Sequence, residues 1–174
     1  MRRTLAILVS SFGLWAQAPA LTPHHLAMKA AAGTWDAVVK MYMEPGKPPA
    51  QSTGTEVNTL VAGGFWMKTE FKSEMMGAPF EGHGLFGYDT HKKAHVGSWV
   101  DSMGTWMGVS RGPCGKDCAE VTCDMEGYDE KGKKATYREV STQKDADHRF
   151  MTMSIRKKDG KFMKIMEIEY IRRK

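Results

Sequence analysis

From Gly33 to the C-terminus, apolar and polar residues alternate with a period of two, the pattern of strands with one face buried. Trp35, Ala37, Val39, Met41 and Met43 share one face of the first such stretch, with Asp36 and Lys40 on the other. Pro45-Gly46-Lys47-Pro48-Pro49 ends it, since proline has no N–H to give to a ladder. Thr55, Val57, Thr59 and Val61 alternate next, and Gly63-Gly64 predicts a tight hairpin. Phe65, Met67, Thr69 and Phe71 then alternate against Trp66, Lys68, Glu70 and Lys72. The same period predicts strands near 80–89, 93–101, 105–111, 119–126, 134–143, 148–157 and 161–172. Turn-forming residues separate them at Asp89-Thr90-His91-Lys92, Met103-Gly104, Gly127 to Gly132, Asp145-Ala146-Asp147 and Lys158-Asp159-Gly160.

One helix precedes the strands. Thr22 suits its N-cap, Pro23 its first position and Gly33 its stop, around an alanine-rich stretch from His24 to Ala32. Short strands at even spacing with no interposed helices predict an antiparallel meander. About ten of them exceed what an open sheet comfortably holds, and closure removes the edges. The expected fold is all-β: an up-and-down antiparallel barrel of about ten strands behind one short helix. A two-sheet sandwich has the same period and stands as the alternative.

Residues 1–18 read as a secretory signal peptide, with Arg2-Arg3 as the charged start, Leu5 to Trp15 as the apolar stretch and Ala16-Gln17-Ala18 as the cleavage site. An apolar run of about eleven residues is too short to cross a bilayer core of ~30 Å as a helix. The expectation is a periplasmic or secreted protein whose mature part, residues 19–174, is one domain with no stable membrane span. Composition agrees with a globular domain, at 26% charged and 41% hydrophobic residues. Formal charge is +5, and it falls by two without Arg2 and Arg3. Basic residues are interleaved with acidic ones, as in Lys68, Glu70, Lys72 and Glu74, and the run Arg172-Arg173-Lys174 reads as a solvated tail. Nothing here supports a nucleic-acid partner.

Gly33-Thr34-Trp35 after a short helix resembles the G-x-W opening of lipocalin-like (calycin) barrels, in which the tryptophan plugs the closed end. Further motifs extend the likeness: Gly63-Gly64, Gly84-x-x-Gly87-Tyr88-Asp89, Trp99-x-Asp101-Ser102-Met103-Gly104-Thr105 and Met166-Glu167-Ile168-x-Tyr170-x-Arg172. Together they make residues 24–173 resemble the family called domain of unknown function 1579, found in many exported bacterial proteins. The resemblance implies a lipocalin-like barrel and no activity.

Gly82-x-Gly84-x-x-Gly87 fits the dinucleotide fingerprint in letters only, because that motif needs a following helix and here a turn and a strand follow. Glycines 82 and 84 share a strand face, where they let a neighbouring tryptophan lie on bare backbone or relieve curvature. Cys114 and Cys118 flank a short loop and are expected to form a disulfide in an oxidising compartment, with Cys123 buried in the next strand. The spacing C-x3-C-x4-C is not a standard zinc pattern. Adjacent His24 and His25 point about 100° apart on a helix, which makes joint chelation rare. The fourteen methionines fall mostly on strand positions, where filling core gaps accounts for them. No metal site and no cofactor are assigned.

Catalytic patterns are thin: Ser110 has no nucleophile-elbow setting. Asp101, Tyr88 and Glu167 could make a polar cluster inside an apolar barrel, although Asp101 before Ser102-Met103-Gly104 also suits turn capping. The favoured reading is an exported barrel that binds a small apolar or amphipathic molecule. Trp35, Tyr88, Trp99 and Trp106 would be its aromatic walls, and Asp101 and Thr105 its polar anchors. Two alternatives stand behind it. One is a hydrolase-like enzyme with Asp101 as acid or base in the barrel mouth. The other is a haem-binding barrel, disfavoured because the last strand has no histidine.

Overall fold

The computed structural model describes residues 19–44, 46–75, 77–113, 118–129 and 131–174. A short helix, α1 (Pro23–Met28), runs into a 3₁₀ turn at Lys29–Ala31. Ten strands follow: β1 (Gly33–Met41), β2 (Ala50–Val61), β3 (Trp66–Met75), β4 (Ala78–Asp89), β5 (Ala94–Asp101), β6 (Gly108–Gly112), β7 (Glu120–Tyr128), β8 (Lys134–Gln143), β9 (His148–Arg156) and β10 (Phe162–Arg172). Each pairs antiparallel with its neighbour in sequence, and β10 returns to pair with β1. The result is a closed barrel, so the sandwich alternative falls. Among the described residues, no helix is long and apolar enough to cross a membrane.

Register fixes the interior. Across β10, β1 and β2, Tyr170 faces Ala37 and Ala37 faces Gly54, while Ile168 faces Val39 and Val39 faces Ser52. Trp35, Ala37, Val39, Phe71, Phe80, Met151, Ile168 and Tyr170 form one buried cluster, and these side chains share the inward face. Strand β2 departs from a simple apolar-inward rule. Its inward positions Glu56 and Asn58 are buried, whereas Val57 points out and is 36% exposed.

The helix end of the barrel is sealed. Trp35 is wholly buried, and its Nε1 donates to the Ala31 carbonyl at 2.9 Å. The guanidinium of Arg172 lies 4.1 Å from the centre of that indole and donates to the carbonyls of Ala30, Ala32 and Ala146 at 2.6–2.7 Å. Gly33 makes this closure possible: its φ is +121°, and a Cβ there would stand 2.7 Å from Arg172 Nη1. Arg172 and Arg173 are therefore not a solvated tail, because Arg173 pairs with Asp36 on β1. Their role is to fasten the last strand to the first and to the helical cap.

Two strand limits differ from the sequence expectation. β2 begins at Ala50, and β6 begins at Gly108, which leaves Thr105 and Trp106 in the preceding loop. Trp106 folds onto the barrel end instead, filling the space where a Cβ on Gly127 would sit 2.5 Å from its Cη2.

Candidate functional site

At the end opposite the helix the interior is not sealed. Met41, Met75, Trp99, Met153 and Met166 pack against the buried cluster, but each keeps accessible surface. Register places them on the same inward face as residues that are almost wholly buried: Met41 is two positions beyond Val39, and Met166 two before Ile168. The contrast marks an open mouth. Two cavities lie at its β1–β2–β3 side. One, of about 360 Å³, is lined by Ala50, Gln51, Ser52, Thr53, Glu74 and Gly77. The other is lined by Met41, Met43, Ala50, Gln51, Ser52 and Met75.

Trp99 of β5 is a fixed wall of the mouth. It sits opposite Gly84, with Gly82 one inward position further on β4. A Cβ on Gly82 would meet Trp99 Cζ2 at 2.2 Å, so the indole lies directly on glycine backbone. Its Nε1 donates to Asp101 Oδ2 at 3.0 Å, while Asp101 Oδ1 accepts the Met103 amide at 2.9 Å. Asp101 thus holds the tryptophan and caps its own turn together. With each carboxylate oxygen already accepting a bond, its observed work is orientation.

Deeper inside, polar groups form a connected chain. Thr69 Oγ1 donates to Asn58 Oδ1 (2.6 Å), Asn58 Nδ2 donates to Glu56 Oε1 (2.6 Å), and Arg149 Nη2 donates to the same oxygen (2.5 Å). The Arg149 guanidinium also lies 4.5 Å from the Trp35 ring centre and 4.3 Å from that of Tyr170. Burial pushes the Tyr170 phenol well above its ordinary range, and the Glu56 carboxylate adds to this. Burial likewise raises Glu139 of β8, which accepts Ser141 Oγ at 3.0 Å. Arg149 Nε is buried with no hydrogen-bond partner among the described residues. An orphaned donor of this kind costs about 1–3 kcal/mol.

A second cluster lies at the sealed end. Thr22 N donates to His25 Nδ1 (3.1 Å), leaving His25 Nε2 to donate to the Tyr88 carbonyl (3.0 Å). These two hydrogen bonds pin α1, and the neighbouring His24 points elsewhere. The His24 ring stacks on Tyr88, centroids 3.8 Å apart, and its Nδ1 is 2.9 Å from Cys118 Sγ. One donor atom from each of His24, His95 and Cys118 lies within 4.8 Å of the others. Burial, with His24 and His25 nearby, holds His95 down at about 4.

The residues singled out from sequence are thus divided between two ends. Trp99 and Asp101 line the mouth, Trp106 packs beside it and Thr105 is exposed on its rim loop. Trp35 is the plug of the far end, and Tyr88 belongs to the histidine cluster. Glu167 faces outward between Lys40 and Lys164, away from Asp101 and Tyr88. Cys114 lies outside the described residues, as does the segment 1–18. Cys123 is buried on β7, and burial pushes its thiol up to about 12. Glu56, Asn58, Arg149 and Glu139 were not singled out from the sequence; the signal available was a polar residue at a strand position of the inward parity.

Solved structures share this fold. "Rv2717c from M. tuberculosis" superposes with a TM-score of 0.67 at 12% identity, over 89% of this chain and 100% of that one. The "S-type Phycobiliprotein Lyase CPES from Guillardia theta" gives 0.55 at 12% identity, over 84% and 90%. No curated protein matches the sequence. The profile described as "Protein of unknown function (DUF1579)" matches residues 20–172, and the chain belongs to that family.

Proposed function

We propose that this protein is an exported binding barrel that takes up a small apolar or amphipathic molecule through the mouth opposite the helix. One observation carries the reading: five inward-pointing apolar side chains, Met41, Met75, Trp99, Met153 and Met166, keep accessible surface at the mouth where they pack against the buried cluster. Apolar surface held open to water by a rigid barrel is favourable to cover, at about 25 cal/mol per Å². Methionines suit such a lining, because flexible thioether chains reshape around a guest at little cost. The orphaned N–H of Arg149, with Tyr170 and Glu139 beside it, offers a polar head group an anchor at depth. A barrel of the same fold is named as a phycobiliprotein lyase. At that identity the likeness lends the architecture and leaves the ligand to be found. Export rests on the leader-like residues 1–18.

Native mass spectrometry of the mature protein, with titration by a naphthalene-sulfonate fluorophore, tests the reading. One probe should bind per barrel and quench Trp99. Trp99→Ala should weaken it about tenfold, an expectation set by loss of one aromatic wall, while the outward-facing Trp66→Ala leaves it unchanged. Absence of saturable binding, or equal effects of the two variants, would overturn it.

A further inference from the structure

We infer that His24, His95 and Cys118 form a binding site for a thiophilic divalent cation, Zn²⁺, at the sealed end of the barrel and separate from the mouth. Three separate elements deliver the donors: His24 from α1, His95 from the start of β5, and Cys118 from the segment entering β7. Their donor atoms lie within 4.8 Å of one another, and His24 Nδ1 is already 2.9 Å from the sulfur. Around a tetrahedral zinc with bonds of 2.0–2.3 Å, ligand atoms stand about 3.3–3.7 Å apart. Closing the set onto an ion requires shifts of roughly an ångström, within the reach of side-chain rotation.

An independent observation points to a missing partner. His95 Nε2 is buried with no hydrogen bond among the described residues, in a side chain only 8% exposed. An imidazole nitrogen left this way in a native fold calls for a partner, and a cation beside a thiol and a second imidazole would supply one. His24 and Cys118 are half-buried, which gives an ion a way in. Supporting contacts are present too. Tyr88 stacks against His24 at 3.8 Å and meets the His95 ring edge at 5.3 Å, and its carbonyl is held by His25. Such outer groups orient ligating rings. Cys118 itself has φ +56°, a left-handed conformation that non-glycine residues adopt rarely and that concentrates at functional positions.

The donor set selects the metal. Two imidazoles and a thiolate suit zinc and exclude calcium or magnesium, which take oxygen ligands. Three protein ligands leave a fourth position for water or an outside group. A disulfide at Cys118 would consume the same thiolate, so the bridge expected from sequence and the metal site are exclusive.

Co²⁺ titrated into the mature protein under a phosphine reductant is the test. One ion should bind per chain with a near-ultraviolet thiolate-to-cobalt charge-transfer band, and Zn²⁺ should displace it. Cys118→Ser should abolish the band, and His24→Ala, at a half-exposed position, should weaken binding by about tenfold or more. His95→Gln should do the same in any preparation whose near-ultraviolet dichroism stays native. Non-reducing peptide mapping of exported protein should find Cys118 unbridged. Absence of the band, its persistence in Cys118→Ser, binding unchanged in His24→Ala, or a bridged Cys118 would each overturn the inference.

Discussion

Replacing Arg149 by methionine removes one partner of the buried pair at the heart of the barrel while keeping most of the side-chain volume. The Arg149 and Glu56 side chains are 14% and 8% exposed, so solvent replaces little of what is lost. Breaking a buried pair by removing one ion typically costs about 3–5 kcal/mol, because the remaining charge stays desolvated. Two ring contacts, on Trp35 and Tyr170, go with it. Relief of the orphaned Nε offsets part of the loss. The net expectation is about 3–4 kcal/mol, or a fall in melting temperature of roughly 10 °C for a domain this size. Glu56→Gln should cost a comparable amount, since it leaves the guanidinium without its counter-charge. Urea unfolding of both variants and of the double variant measures the coupling, which should be at least about 2 kcal/mol. An Arg149→Met loss below about 1 kcal/mol, or strict additivity in the cycle, would refute the claim that this pair organises the interior.

Other expectations follow from single positions. Burial raises the Glu139 carboxyl above its ordinary range in the folded chain, so as pH rises the folded chain gives up this proton later than the unfolded one. This favours the fold below the ordinary carboxylate range and is lost as pH rises through and above it. Glu139→Gln should therefore raise neutral-pH stability and flatten the stability–pH profile above about pH 4.5, both read from thermal melts across pH. Gly82→Ala puts a methyl group into the Trp99 ring and should cost about 1–3 kcal/mol, with a changed near-ultraviolet tryptophan signal. Cys123, with its thiol near 12, should resist a disulfide reagent at pH 8 until denaturant is added; rapid native labelling would contradict its burial.

Strand parity made the barrel legible because the interior faces of β1, β9 and β10 are mostly apolar. The same reasoning failed at β2, where Val57 faces water and Glu56 and Asn58 face inward. Periodicity records which residues are oily, and cannot see that Thr69, Asn58, Glu56 and Arg149 satisfy one another once brought together. Trp99 on bare Gly82 and Gly84 was foreseeable, since paired glycines on one face announce a bulky neighbour. The histidine–cysteine cluster was hidden for a different reason. His24, His95 and Cys118 meet only because ten consecutive antiparallel pairings bring α1, the start of β5 and the start of β7 to one end, and no local spacing encodes that.

The pairing of β1 with β10 has a consequence for how the chain reaches this state. Trp35 meets Arg172, and the amide of Arg173 reaches the Thr34 carbonyl, so the contacts that complete the ring join nearly opposite ends of the described chain. Every other strand pair can zip up as a local hairpin, but this last one must await β10. Folding is accordingly expected to have a fast meander phase and a slow closing step, in the millisecond-to-second range of strongly non-local β-proteins. Until then β1 and β10 each offer a bare edge to any other chain. The interval before closure is when self-association is a hazard, and a chain cut short of Phe162 would remain in it permanently.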